Sequence, residues 1–218
     1  MSAGQKLRLA ILISGRGSNM EAIARACHEQ RIAAQVMRVI ADRADAAGLE
    51  NASQFGIATA AIARAGYDSR EAHEHAVATE IDAAGAELVI LAGYMRILSA
   101  TFVERYQGRL LNIHPSLLPL HKGLHTHRRA LEAGDREHGA SVHFVSAELD
   151  DGPVICQARV PVIAGDSEDS LAARVLAQEH VIYPMAIDLI ASGRVRWRDR
   201  QVWLDGEPLR QPLEAGRR

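Results

Sequence analysis

Leu7-Arg8-Leu9-Ala10-Ile11-Leu12-Ile13-Ser14, followed at once by Gly15-Arg16-Gly17-Ser18-Asn19, decides how the rest of the chain is read. The run at 7–14 is nearly all apolar, the pattern of a strand covered by helices on both faces of a parallel sheet. The two glycines turn the chain. A helix follows, with Ile23, Ala26 and Cys27 on one side. Ser18 and Glu21 have the S-x-x-E spacing of a capping box, which predicts a helix capped by Ser18.

The same alternation repeats outward. Strands are expected over 36–41, 58–63, 88–94 and 109–114, and helices over 45–55, 69–84 and 99–106, the last capped by Ser99. Strands alternating with helices imply right-handed crossovers and an α/β, doubly wound, mostly parallel sheet of Rossmann-like kind. Past residue 135 the register changes, to strands over 140–145 and 154–162 around a loop at 146–153. A long helix is expected over 167–192, kinked or interrupted at Pro184. A small C-terminal hairpin is expected over 196–204. No repeat or linker breaks the pattern, so 1–206 reads as one domain and 207–218 as a disordered tail.

At 218 residues the chain suits one well-buried domain. Apolar residues make up 48% and the net charge is −2, which fits a soluble globular protein and argues against nucleic-acid binding. The local positive charge of Gly216-Arg217-Arg218 reads as a solvated terminus. Residues 1–6 show no signal-peptide pattern, and apolar runs such as 88–92 are too short to span a bilayer. Cys27 and Cys156 form no CxxC or disulfide pattern and read as packed thiols, so a reducing cytoplasm is the expected compartment.

Three places carry chemistry. At 15–19, glycines allow close approach of an anion, and helix-start N–H groups hold it. Met20 stands where a dinucleotide fingerprint needs a small residue, and no P-loop Lys-Ser/Thr pair follows. The stretch therefore suits a single phosphate, or is merely a tight turn. Asn112 and His114 lie on one side of a strand at its carboxyl end, where open α/β sheets bind ligands. An amide donor beside an imidazolium can stabilise an oxyanion and supply a proton. The alternative is a packed histidine beside a turn. Leu149-Asp150-Asp151-Gly152-Pro153 is a turn sequence in its own right. A carboxylate there can also pair with His114 and favour its imidazolium form. His73 and His75 lie on a helix at i and i+2, which do not face one another, and His121, His125 and His127 lack zinc-ligand spacing; no metal is expected.

Together these residues resemble the phosphoribosylglycinamide formyltransferases, a 10-formyltetrahydrofolate-dependent family of de novo purine synthesis. The similarity covers about 7–206. It includes ISGRGSN at 13–19, ADAAGLE at 44–50, LAGYMRILS at 91–99, GRLLNIHPSLLP at 108–119 and GLHTHRRALEAG at 123–134. It continues through HGASVHFV at 138–145, LDDGPVI at 149–155, GDSEDSLAARV at 165–175 and QEHVIYP at 178–184. The resemblance implies that Gly17, Ser18 and Asn19 hold the substrate phosphate and that Glu179 meets the ribose hydroxyls. It implies that Leu176, Ala177 and Gln178 line the same region and that Arg109 lies near the substrate. Met95, Arg96, Ile97 and Leu98 would wall a pterin pocket with Ser146, Ala147, Glu148, Leu149 and Asp150 opposite. Asn112 would face the same folate, and Arg70 its carboxylate tail.

One departure is Leu120-His121-Lys122-Gly123, where relatives commonly carry an aromatic and a proline before the glycine; it is expected to loosen that loop. The expected chemistry is direct acyl transfer, with Asn112, His114 and Asp150 as catalytic residues. The partners are the small molecules 5-phosphoribosylglycinamide and 10-formyltetrahydrofolate, with no metal, nucleic acid or membrane, in a monomer or homodimer. A formyltetrahydrofolate hydrolase is expected to carry a further N-terminal domain, and only six residues precede the first strand here. A transfer-RNA formyltransferase would need a further C-terminal domain and a basic surface. An inactive phosphate-ligand binding protein is the alternative outside the enzyme class.

Overall fold

The computed structural model describes residues 6–215. An eight-stranded sheet forms its centre. Along the chain come β1 (Leu7–Ile13), α1 (Ser18–His28), β2 (Ala34–Ala41), α2 (Ala47–Gln54), β3 (Thr59–Ala61), α3 (Arg70–Ala83), β4 (Leu88–Leu91), α4 (Ala100–Arg105) and β5 (Leu110–His114). Then follow α5 (Thr126–Ala133), β6 (Glu137–Phe144), β7 (Val154–Pro161), α6 (Glu168–Ala191), β8 (Val195–Arg198), β9 (Gln201–Leu204), β10 (Glu207–Pro208) and β11 (Leu213–Glu214). The sheet order is β11-β7-β6-β5-β4-β1-β2-β3. Strands β1 to β5 pair in parallel, and β6 and β7 are antiparallel.

Strand alternation splits β1 between two cores. Leu9, Ile11 and Ile13 pack with Met20 and Ile23 of α1 and with Leu171, Val175 and Ile182 of α6. Ala10 and Leu12 pack on the other face with Val77 and Ile81 of α3 and Phe102 of α4. An apolar run without polar alternation is what two-sided burial requires. The chain fills the sheet outward from β1 to β3, then returns to the other side of β1 with β4. That reversal opens a crevice at the carboxyl ends of β1, β4 and β5.

Several expectations are corrected. Ser18 does not cap α1: Gly17 is the N-cap, at φ +74°, and among the described residues no side chain caps that end. Glu21 instead accepts a hydrogen bond from Asn51 Nδ2. The strand expected to run to residue 94 leaves the ladder after Leu91, where Gly93 turns at φ +72°. Pro184 does not interrupt α6. A proline inside a helix costs about 3 kcal/mol, but Ile182, Tyr183, Ala186 and Ile187 beside it are fully buried. Each large apolar side chain so buried returns about 1.5–3 kcal/mol. Tyr183 also donates from its hydroxyl to the Leu91 carbonyl at 2.9 Å, tying the helix to the end of β4.

Helix α5 was not expected, because Thr126–Ala133 is largely polar and buries only Thr126 and Ala130. Within 207–215 the tail carries two short strands. There β10 extends the hairpin to three strands and β11 pairs with β7 through Leu213 and Cys156. Residues 216–218, like 1–5, lie outside the described residues. The hairpin supports the fold: Val195 and Val202 are buried, and the Trp197 ring meets Phe144 edge-on at 5.2 Å.

Candidate active site

Gly17 needs its left-handed φ to enter α1, and a side chain there would press on Gly48 Cα at 3.2 Å. Gly48 in turn approaches the Gly15 carbonyl closely and donates to it at 3.0 Å. With a glycine at the cap, the first-turn N–H groups of α1 keep no side-chain partner and face the crevice with the positive end of the helix dipole. Asn19 is buried here. It donates from Nδ2 to Glu179 Oε2 at 2.6 Å, and its Oδ1 has no partner among the described residues. Burial pushes the Glu179 carboxyl up, while the Asn19 bond opposes that. Leu176 and Gln178 are half-buried beside Glu179, and Ala177 is exposed.

Asn112 and His114 project from β5 at the same sheet edge. His114 Nδ1 stands 3.3 Å from Asp150 Oδ2, with both side chains 7% exposed. Its Nε2 donates to the His121 carbonyl at 2.9 Å, since a carbonyl only accepts. Asp150 is aimed by a φ of +50°, and its Oδ2 also accepts from Gly123 N at 3.0 Å. Gly152 is obligatory: a Cβ there would stand 1.7 Å from the Phe144 carbonyl oxygen. Both nitrogens of His114 are thus assigned. The long Nδ1 contact leaves that proton shareable between Asp150 and a reacting group.

Sequence reasoning missed His143. Register sets it opposite Asn112 across β5 and β6. Its Nδ1 donates to the Phe144 carbonyl at 2.9 Å, so Nε2 accepts from Asn112 Nδ2 at 3.3 Å. Burial lowers His143 to about 4, which keeps the ring neutral and accepting. Asn112 retains a second N–H for the crevice. The stretch HGASVHFV carried the signal, but only the antiparallel pairing assigns its partner.

The loop at 120–123 is tied at three points. His121 Nε2 donates to Asp135 Oδ2 at 2.6 Å, Lys122 pairs with Asp151, and Arg129 Nη1 donates to the Lys122 carbonyl at 2.6 Å. Segment 92–99 crosses the mouth after β4, held by Met95 N on Ser14 Oγ at 2.9 Å and Arg96 Nε on Asp42 Oδ2 at 2.6 Å. Met95 and Ile97 on it are 68% and 69% exposed, and Leu149, next to Asp150, is 58% exposed. Leu98 is half-buried, and Ser146 bonds within its own turn to the Glu148 carbonyl; Ala147 and Glu148 are exposed. Arg70, at the start of α3, lies 3.7 Å from Glu74 Oε1, and the Glu74 carboxylate also holds Ser99 N at 2.8 Å. Arg109 does not join them. It precedes β5, at the opposite end from His114, with its guanidinium 4.8 Å over the Tyr106 ring. Among the described residues, no group of three or more His, Cys, Asp or Glu is arranged to hold a metal ion. No described helix is long and apolar enough to cross a membrane.

A crevice with an open helix start at one end, an amide–imidazole–carboxylate set at its centre and apolar walls at the other can bind an anion and polarise a carbonyl. The chain is 56% identical over 203 residues, 93% of its length and 96% of the relative's, to a phosphoribosylglycinamide formyltransferase of Escherichia coli (strain K12). It is 43% identical over 195 residues to the trifunctional purine biosynthetic protein adenosine-3 of Drosophila melanogaster, covering 88% of this chain and 14% of that one. The solved structure of a phosphoribosylglycinamide formyltransferase from Coxiella burnetii superposes with a TM-score of 0.91 at 44% identity, covering 96% of this chain and 99% of that chain. With residues 7–187 also matching the family model described as Formyl transferase, the chain belongs to the formyl transferase family.

Proposed function

We propose that this chain is a phosphoribosylglycinamide formyltransferase, moving the formyl group of 10-formyltetrahydrofolate to the amine of 5-phosphoribosylglycinamide in purine synthesis. The observation that carries the reading is Asn112, His114 and Asp150 meeting at one sheet edge, between an uncapped helix start and an exposed apolar wall. The phosphate suits the α1 N–H groups of Ser18 and Asn19 behind Gly17. The ribose diol suits Glu179, whose Oε1 is not used by Asn19. A flat apolar pterin suits Met95, Ile97 and Leu149, and the exposed Arg70 suits the tail carboxylates. Arg109 is left out of the binding set. The site lies within one chain, so a monomer or a homodimer fits, and the cytoplasm stays part of the proposal.

The amine nitrogen attacks the formyl carbon, and the carbonyl π pair moves to oxygen. Asn112 donates its second N–H to that oxygen, and His114 donates from the Nδ1–H that it shares with Asp150. The attacking nitrogen loses a proton to solvent or to Asp150 through water. The oxygen pair then re-forms the carbonyl, the bond to N10 breaks, and N10 takes a proton. No covalent enzyme intermediate is required.

The purified chain is expected to form formylated product only when both substrates are present. Formate release without the amine, or binding without turnover, would overturn the reading. Asn112→Ala and His114→Ala should each lower kcat on the order of 100- to 1000-fold. Folded variants with near-normal rates would remove those residues from the catalytic set.

A further inference from the structure

Asp150 governs one nitrogen of His114; something else must govern the other. That partner is the carbonyl of His121, 2.9 Å from Nε2. His121 sits at φ +51°, an unusual backbone for a residue with a Cβ, so its peptide needs fixing from outside. Its own side chain supplies the fixing. The ring is 12% exposed and donates from Nε2 to Asp135 Oδ2 at 2.6 Å. Asp135 is itself placed by the end of α5, where Gly134 turns at φ +69° and Asp135 N donates to the Ala130 carbonyl at 3.1 Å. With Gly134 N on the Leu131 carbonyl at 3.1 Å, this makes a helix-end motif that sets the direction of the chain.

We propose that His121 and Asp135 form a positioning pair for His114, holding the carbonyl that commits Nε2 and so turning the Nδ1–H toward the reacting face. The inference rests on the formyl-transfer reading for its catalytic consequence, but the ring geometry itself does not. The pair also explains how the chain dispenses with an aromatic and a proline at 121–122. A side-chain clamp on α5 replaces local stiffness. Lys122, paired with Asp151 on the neighbouring turn, keeps the same loop against the Asp150 segment.

The test joins steady-state kinetics with ¹⁵N NMR of the histidine rings in the full chain. In the parent protein His114 Nε2 should carry a slowly exchanging proton. In Asp135→Ala that proton should exchange at least about tenfold faster, and kcat should fall about tenfold with both KM values within twofold. Asp135→Glu, which can still accept the bond, should recover most of both effects. An unchanged His114 Nε2 signal in folded Asp135→Ala overturns the proposal, as does a rise in both KM values without loss of kcat. His121→Phe should repeat the Asp135→Ala result; if it does not fold, Asp135→Ala still decides the matter. A parent protein without formyl transfer but with the protected Nε2 proton would overturn the function and leave the positioning pair standing.

Discussion

Asp150 holds a left-handed backbone at φ +50°, which aspartate tolerates better than most residues. Two residues on, Gly152 lets the chain pass directly under the Phe144 carbonyl, where any Cβ would stand 1.7 Å from the oxygen. The obstacle is backbone within β6, so it cannot rotate away as a flexible side chain would. Gly152→Ala should therefore lower the urea midpoint by an amount corresponding to about 3 kcal/mol. It should also blunt kcat in the fraction that stays folded, because the turn it distorts aims Asp150 at His114. An unchanged midpoint would show that the turn has room to shift. Asn112 and His114 could be placed together from sequence because strand period and the carboxyl-edge rule need no partner strand; Asp150, on a loop, joined them only through the family resemblance. His143 was not, because a residue on β6 acquires its neighbour only through antiparallel register. The carbonyl of His121 was invisible for a simpler reason: backbone groups carry no residue signature.

Segment 92–99 has no regular structure, yet it carries the apolar wall of the crevice. Its far end depends on Glu74 of α3, which is buried and accepts from both the amide and the hydroxyl of Ser99. Ser99 in turn caps α4 by accepting from Phe102 N at 3.2 Å. Glu74→Ala would leave a buried N–H unpaired, a loss of about 1–3 kcal/mol. The expected kinetic effect is a severalfold rise in the folate KM, with the KM for the phosphorylated substrate within twofold. Equal rises in both would make Glu74 a general stabiliser rather than a support of this wall. Elements show the same division as residues. The apolar runs of β1 and β4 and the Ser99 cap declared themselves. Helix α5 did not, because its polar sequence offers only the stop signal of Gly134. Strand β11 is two residues long, too short for period-2 alternation, and exists through pairing with β7. The interruption that Pro184 allowed for does not occur, because the burial that carries α6 through it is tertiary.

At the scale of the whole molecule, two deeply placed imidazoles make stability depend on pH. His138 and His143 are each lowered to about 4, in both cases chiefly by burial. His127, 3.1 Å from His138 between ring nitrogens, and His180 are also lowered by burial. In the unfolded chain these rings take up protons near pH 6.5. Between pH 6.5 and about 4 the unfolded state therefore binds protons that the folded state refuses. Stability is full above that window and is lost as pH falls through it, at up to about 1.4 kcal/mol per pH unit for each differing proton. Glu179 acts in the opposite sense, since burial raises its carboxyl and the folded chain then binds that proton more readily. Its effect lies above the unfolded carboxylate value, and one carboxyl opposes four imidazoles. Thermal melts should accordingly give a Tm that is flat near neutrality and falls steadily from pH 6.5 toward 4.5. His138→Gln, which removes one of the refused protons, should be less stable at pH 7 but should lose less Tm across that range than the parent. If parent and variant fall with equal slope, His138 is not held neutral in the folded chain, and the acid sensitivity must come from the other buried imidazoles, His143, His127 and His180.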